Sequence, residues 1–391
     1  MATYKIGNRT TTFSPGLEDS TYVLGKGKLI DSVLPGIYQA SGLGGVSLEI
    51  AGTIRSMEYG IKFGETISYA PGLAVTVEKS GKIDSQSRAI DVHASDFRID
   101  NDGKIFGTEG IRASGTDGVI TNRGTIDAAA VGIVATGSNH IVNTGAISGG
   151  QYGIVLNATE SGAGSIRNTG LVEGANAAIQ GSSSADRIVN AGTMKGDVLL
   201  AGGDDVFVFK SGKVTGEIEG GMGADRYIVK AEGATIAENF GQGFDFVKAS
   251  VSFTLAAHVE QINLVGKADI DATGNDQDNH VQGNAGRNVL RGEGGVDFLV
   301  GLGGNDRLFG GEGGDVFNFQ AGSGRDTVMD FEAGIDEIQI GGLKGTIDFA
   351  DMVANHVEEK GDDIWITYGK DVVILRNTGT GELQAGDFVF G

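Results

Sequence analysis

From Gly274 to Asn318 the chain reads GNDQDNHVQ, GNAGRNVLR, GEGGVDFLV, GLGGNDRLF, GGEGGDVFN: five nonamers with no remainder. The sixth place holds Asn279, Asn288, Asp297, Asp306 and Asp315, and the eighth holds Val281, Leu290, Leu299, Leu308 and Phe317. A sixth unit, AGSGRDTVM with Asp326, follows after a two-residue slip. Glycine tolerates positive φ and leaves backbone carbonyls open, so the first six residues of each unit can curl around an ion. The acid adds hard anionic oxygen, which Ca²⁺ collects in sets of six to eight. The last three residues form a short strand whose single apolar side chain fills a core.

This pattern resembles the RTX nonapeptide, a hemolysin-type calcium-binding β-roll repeat. Two nonamers make one turn, so units n and n+2 stack. Ions are then expected between Asp297 and Asp315, between Asn288 and Asp306, and between Asn279 and Asp297. Gly292, Gly294, Gly301, Gly303 and Gly310 line the turns. The two asparagines carry no charge, so weaker binding is expected at that end. A degenerate copy lies upstream, in LAGGDDVFV (Asp205), GGMGADRYI (Gly220, Asp225) and FGQGFDFVK (Asp245). Val251–Ala272 reads as strands between the two arrays.

Composition fits this reading. Of 391 residues 68 are Gly, 3 are Pro and none is Cys. Such a chain is neither collagen nor a disulfide scaffold, and thiolate metal sites are excluded. The net charge is −21, and it is uneven: residues 197–391 hold 33 acids against 14 bases, whereas residues 1–196 hold 18 against 16. Nucleic acid is therefore an unfavourable partner and a cation a favourable one. Stacked carboxylates repel one another without ions. About five or six Ca²⁺ would offset most of the excess, and the roll is expected to fold only with them.

Outside this block a second repeat governs. The phrase Ile-x-Asn-x-Gly recurs with Asn101, Asn122, Asn143, Asn168 and Asn190, at steps of 21, 21, 25 and 22 residues. Weaker copies precede it at Gly27, Gly52 and Gly81, and a second landmark is the Ile of a "GI" pair at Ile37, Ile61, Ile90, Ile111, Ile133, Ile154 and Ile179. Apolar positions alternate between landmarks, as in short strands. A unit this short cannot bury its own face, so copies must stack. The expected result is a parallel β-helix with isoleucine columns inside and an asparagine ladder in one turn. About residues 20–200 resemble secreted β-helices, including autotransporter passenger domains.

Parallel β-helices joined to RTX repeats also resemble mannuronan epimerases. Lys62, Asp91 and Arg112 each follow a landmark Ile, and His93 lies two residues beyond Asp91. Asp91, His93 and Arg112 are therefore the catalytic candidates of the alternative reading, a uronan lyase or epimerase-like enzyme. The Pro and Glu of the epimerase Asp-Pro-His-Glu motif are missing. Neither the HExxH of RTX metalloproteases nor the Gly-x-Ser-x-Gly of RTX lipases occurs.

The C-terminal stretch alternates Gly-Asp turns with amphipathic strands and ends in Asp387, Phe388, Val389 and Phe390. It resembles the cap and export signal of RTX proteins that leave by type I secretion machinery. No charged-then-apolar leader is seen at the start, and no apolar run reaches a bilayer's thickness. The expected fold is all-β: a right-handed parallel β-helix over residues 1–200, then degenerate coils over 201–250, a nonapeptide roll over 251–330, and a cap over 331–391. The expected function is that of a secreted, extracellular calcium-binding protein with a structural or adhesive role. Its expected partners are calcium, the secretion machinery and a polysaccharide or cell-surface component.

Overall fold

Alternating aliphatic and small polar residues give strands of about four residues that bury every second side chain. The computed structural model describes residues 2–16, 19–39, 45–68, 72–157, 162–341 and 348–391. The chain divides into two units, residues 1–223 with 233–235, and residues 224–232 with 236–391.

In the first unit parallel strands stack in register on two sheets. One column runs through Leu48, Val75, Ile99, Ile120, Ile141, Ile166 and Ile188. On the other sheet the landmark residues Ile37, Ile61, Ile90, Ile111, Ile133, Ile154 and Ile179 stand directly opposite one another. All of these are at most 1% exposed. The 21–25-residue spacing is thus one solenoid turn, with insertions accommodated in loops.

The asparagine ladder closes one corner. Asn101 Nδ2 donates to Asn122 Oδ1 (2.7 Å), Asn122 to Asn143 (2.8 Å), Asn143 to Asn168 (2.8 Å) and Asn168 to Asn190 (2.9 Å). All five side chains are fully buried. The glycine two places on is required by close approach, since a Cβ at Gly124 would overlap the Gly103 carbonyl. Asn143 also donates to the Leu171 carbonyl (2.9 Å). Asn143→Ala removes these bonds from a dry stack, so a loss of about 2 kcal/mol is expected. Thermal unfolding should register it, and an unchanged midpoint would exclude a stabilising ladder.

In the second unit one sheet aligns Tyr227, Val247, Ile262, Val281, Leu299, Phe317, Ile338 and Phe388. A facing column on the other sheet runs through Ala272, Leu290, Leu308, Val328 and Leu375. Stacked partners in the nonamers are 18 residues apart, two units per turn. The second sheet ends in antiparallel strands Val357–Lys360, Asp363–Tyr368 and Asp371–Leu375. A short helix, Phe349–Asn355, precedes them, capped by the Asp348 carboxylate on the Asp351 N–H (2.8 Å). The ending Phe388–Phe390 is a strand of the first sheet, held at its start by Asp387, which accepts from Gly334 (3.0 Å) and Gln384 (2.9 Å) N–H groups.

Candidate calcium centres

Because the acid sits immediately before each strand, or at its second residue in the case of Asp326, strand register stacks the acids too. On one side of the second unit, Asp297 Oδ1 accepts the Asn279 N–H (2.7 Å), Asp315 Oδ1 the Asp297 N–H (2.9 Å) and Asp336 Oδ1 the Asp315 N–H (2.9 Å). On the other side Asp306 Oδ1 accepts from Asn288 (2.8 Å) and Asp326 Oδ1 from Asp306 (2.9 Å). Each of these acids is at most 5% exposed.

The second oxygen of the carboxylate is the informative one. Oδ2 of Asp297, Asp306, Asp315 and Asp326 is buried and has no hydrogen-bond partner. A buried anionic oxygen without a partner is costly, and a cation is the group that would satisfy it. Each Oδ2 is held close over the turn that opens its own nonamer, where only glycine fits: a Cβ at Gly292, Gly301 or Gly310 would overlap Oδ2 of Asp297, Asp306 and Asp315 respectively. Burial pushes the carboxyls of Asp297 and Asp306 up to about 7, helped by neighbouring acids and opposed by the backbone N–H bonds. Asp326 and Asp336 rise to about 6, and Asp315 also rises, with burial first in each case. The residues present therefore fit calcium.

Gly294 and Gly303, named with the turn glycines, have room for a Cβ. The fourth-place glycines do not. Gly304 (φ 144°) and Gly313 (φ 137°) hold positive φ, and a Cβ there would overlap the carbonyls of Gly286 and Gly295.

Asn279 and Asn288 behave differently from the acids. Their Oδ1 atoms accept N–H groups within their own turns, from Asn275 (2.7 Å) and Asn284 (2.8 Å). Their Nδ2 atoms donate to the carbonyls of Val259 (3.2 Å) and Ile270 (2.6 Å). Where an aspartate leaves an oxygen bare, asparagine satisfies itself.

The degenerate copy falls in both units. Asp205 and the buried Gly220 lie in the first, where Asp205 Oδ1 accepts the Asp186 N–H at 2.5 Å. Asp225 and Asp245 lie in the second, where Asp245 Oδ1 accepts the Asp225 N–H (2.8 Å). Glu238 joins them: among the described residues, carboxylate oxygens of Asp225, Glu238 and Asp245 lie within 4.8 Å of one another, all buried. Burial raises Asp245 to about 7. Tyr227 Oη donates to Glu238 Oε1, and Glu260 Oε2 accepts the Asp245 N–H (2.6 Å). Sequence spacing missed Glu238, Glu260 and Asp336, because they follow their neighbours at 15 or 21 residues or lie outside the nonamer phase. The detectable signal was an acid directly before an alternating strand, as in Asp336–Ile340.

On the first unit, Lys62, Asp91 and Arg112 stand opposite one another on adjacent strands. Asp91 is 1% exposed, with Arg88 at 3.2 Å from Oδ2 and His93 Nε2 at 3.2 Å from Oδ1. Burial raises its carboxyl, but His93 and Arg88 together outweigh that and hold it below the usual range. Arg112 forms a two-bond fork on Glu109 (2.6 and 2.7 Å), which Arg88 also contacts (3.1 Å). The three candidates are thus brought together, but in an ion-pair network that keeps both acids ionised.

A parallel β-solenoid whose glycine turns stack aspartates in columns defines a calcium-binding repeat protein. Residues 273–308 and 293–328 match the RTX calcium-binding nonapeptide repeat (4 copies), so this chain carries RTX calcium-binding repeats within a parallel β-solenoid. None of the curated proteins matches it. Among solved structures it is similar to the extracellular lipase LipA from Serratia marcescens, at 17% identity and a TM-score of 0.23. That match covers 60% of this chain, which spans 41% of the lipase chain.

Proposed function

We propose that the chain is a secreted structural or adhesive protein in which calcium is a folding switch rather than a reactant. The carrying observation is the set of four buried, unpartnered Oδ2 atoms on Asp297, Asp306, Asp315 and Asp326. In this reading Asp297, Asp306, Asp315 and Asp326 hold ions between successive turns, with Asp336 extending one column. Asp205, Asp225 and Asp245 supply the upstream sites. Extracellular calcium modules bind at ~10⁻⁴–10⁻³ M, so a chain kept in low calcium stays unfolded and can be threaded out. Type I export with folding outside the cell follows from that difference. A surface of regular strands suits adhesion to a matrix or cell-surface polymer.

The test is calcium counting by equilibrium dialysis on the full chain. About five or six ions are expected at millimolar calcium. Binding of one ion or none would overturn the proposal.

A further inference from the structure

Residues 236–391 contain 26 acids and 10 bases, among them five arginines. In such an excess of carboxylates every arginine has acids to pair with. Arg287 and Arg376 do so, with Asp269 (2.8 Å) and Asp363 (2.6 Å). Among the described residues, Arg291, Arg307 and Arg325 form no direct ion pair, although Arg291 lies near enough to Asp330 to oppose the burial-driven rise of its carboxyl. They lie instead against aromatic rings. Arg291 and Arg307 sit 4.0 and 5.6 Å from the Phe309 centroid, and Arg325 sits 5.3 Å from that of Trp365.

These three belong to successive strands of one sheet, Val289–Gly294, Arg307–Glu312 and Arg325–Val328. They alternate with core residues Leu290, Leu308, Asp326 and Val328, so they share the outer face. Arg291 stands opposite Phe309, and the register leads from Arg307 through Thr327 and Ile374 to Trp365. Arg307 and Arg325 are exposed, and Arg291 is half-buried. Stacking on a ring fixes the guanidinium plane and leaves its N–H edge free for a planar or tetrahedral oxyanion.

We propose that this outer sheet face binds a linear acidic polysaccharide bearing carboxylate or sulfate groups. The cations step diagonally across the strands, each displaced by two residues from the next, so they recur at about 7–8 Å along an oblique line that a linear charged polymer can follow. Phe309 and Trp365 serve the strip by holding these guanidiniums against their rings. Their faces are covered by cations, which suits a hydrated glycan and not insertion into lipid. Calcium eases the approach by offsetting most of the surrounding negative charge. The inference rests on the calcium-folded reading above, because the strip forms only when this sheet does.

Trp365 is the chain's single tryptophan, so its emission reports on this face. The calcium-loaded full chain should be titrated with hyaluronate, dextran sulfate and neutral dextran, with circular dichroism on the same samples. Saturable emission change with hyaluronate, with dextran sulfate or with both supports the proposal and tells which acid group is preferred. The triple variant Arg291→Gln, Arg307→Gln, Arg325→Gln is expected to lose roughly 100-fold in affinity with its calcium-induced spectrum intact. If that variant does not fold, Arg307→Gln alone is expected to lose about tenfold. Equal binding by neutral dextran, undiminished binding by a folded variant, or tighter binding to anionic phosphatidylglycerol vesicles would overturn it. A chain that folds with calcium yet binds neither acidic glycan sinks only this inference; one that calcium does not fold sinks the reading beneath it.

Discussion

Chelating calcium from the full chain at pH 8 is expected to unfold the second unit and leave the first folded. Four buried carboxylate oxygens of the second unit lack partners without an ion. Each such oxygen costs about 1–3 kcal/mol, more when charged. A site with affinity near 10⁻⁴ M contributes about 2.7 kcal/mol at 10 mM calcium, so four sites contribute on the order of 10 kcal/mol, comparable with the whole stability of a domain. The first unit needs no ion for its ladder, because Asn101, Asn122, Asn143 and Asn168 each donate to the next amide. Far-UV circular dichroism should lose part of its strand signal in chelator and regain it with calcium. Thermal melting should keep one transition in both buffers and lose the other in chelator. Identical spectra and melts with and without calcium would rule out the switch.

Both repeats could be read from the sequence because a solenoid writes its geometry as a period. One residue at one phase fixes one place in the turn, as the isoleucine columns and the Asn101–Asn190 ladder demonstrate. Asp297, Asp306 and Asp315 were legible for the same reason. Glu260 and Asp336 were not, because the chain reaches the same column by loops of other lengths, and a column tolerates that where a period does not; Glu238 was not, because it follows the strand Ile236–Ala237 of another sheet. The glycine roles were only half legible. Position tells which glycines recur, but only backbone conformation separates Gly304 and Gly313, which cannot take a side chain, from Gly294 and Gly303, which can. Nor does spacing show what Asp91 and Arg112 do. They share a face, and only the contacts to Arg88, His93 and Glu109 show that face to be internally neutralised.

Asp306→Asn should act in opposite directions with and without calcium. Asp306 occupies the centre of its column, bonded by its carboxylate to the Asn288 N–H and by its own N–H to Asp326. It therefore belongs to two interturn steps, and losing its charge should raise the calcium midpoint about tenfold or more. In chelator the same change removes a bare buried oxygen and supplies an amide donor. Asn288 shows how that donor is used, through its bond to the Ile270 carbonyl. The calcium-free variant should accordingly be about 1–2 kcal/mol more stable than the parent. Protonation has the same effect as the amide. The carboxyls of Asp297 and Asp306 stand at about 7 in the folded, calcium-free unit and that of Asp326 at about 6, against about 3.9 when unfolded. Between these values the folded form holds more protons. The associated stability is complete below pH ~4 and is lost as pH rises through 6 to 7. Calcium must displace those protons, so the midpoint should rise on going from pH 7.5 to 5.5, and rise less in Asp306→Asn. Calcium titrations followed by circular dichroism at both pH values measure the midpoints, and a larger residual strand signal of the variant in chelator measures the calcium-free gain. A variant weakened equally in calcium and in chelator would mean that Asp306 only fills space.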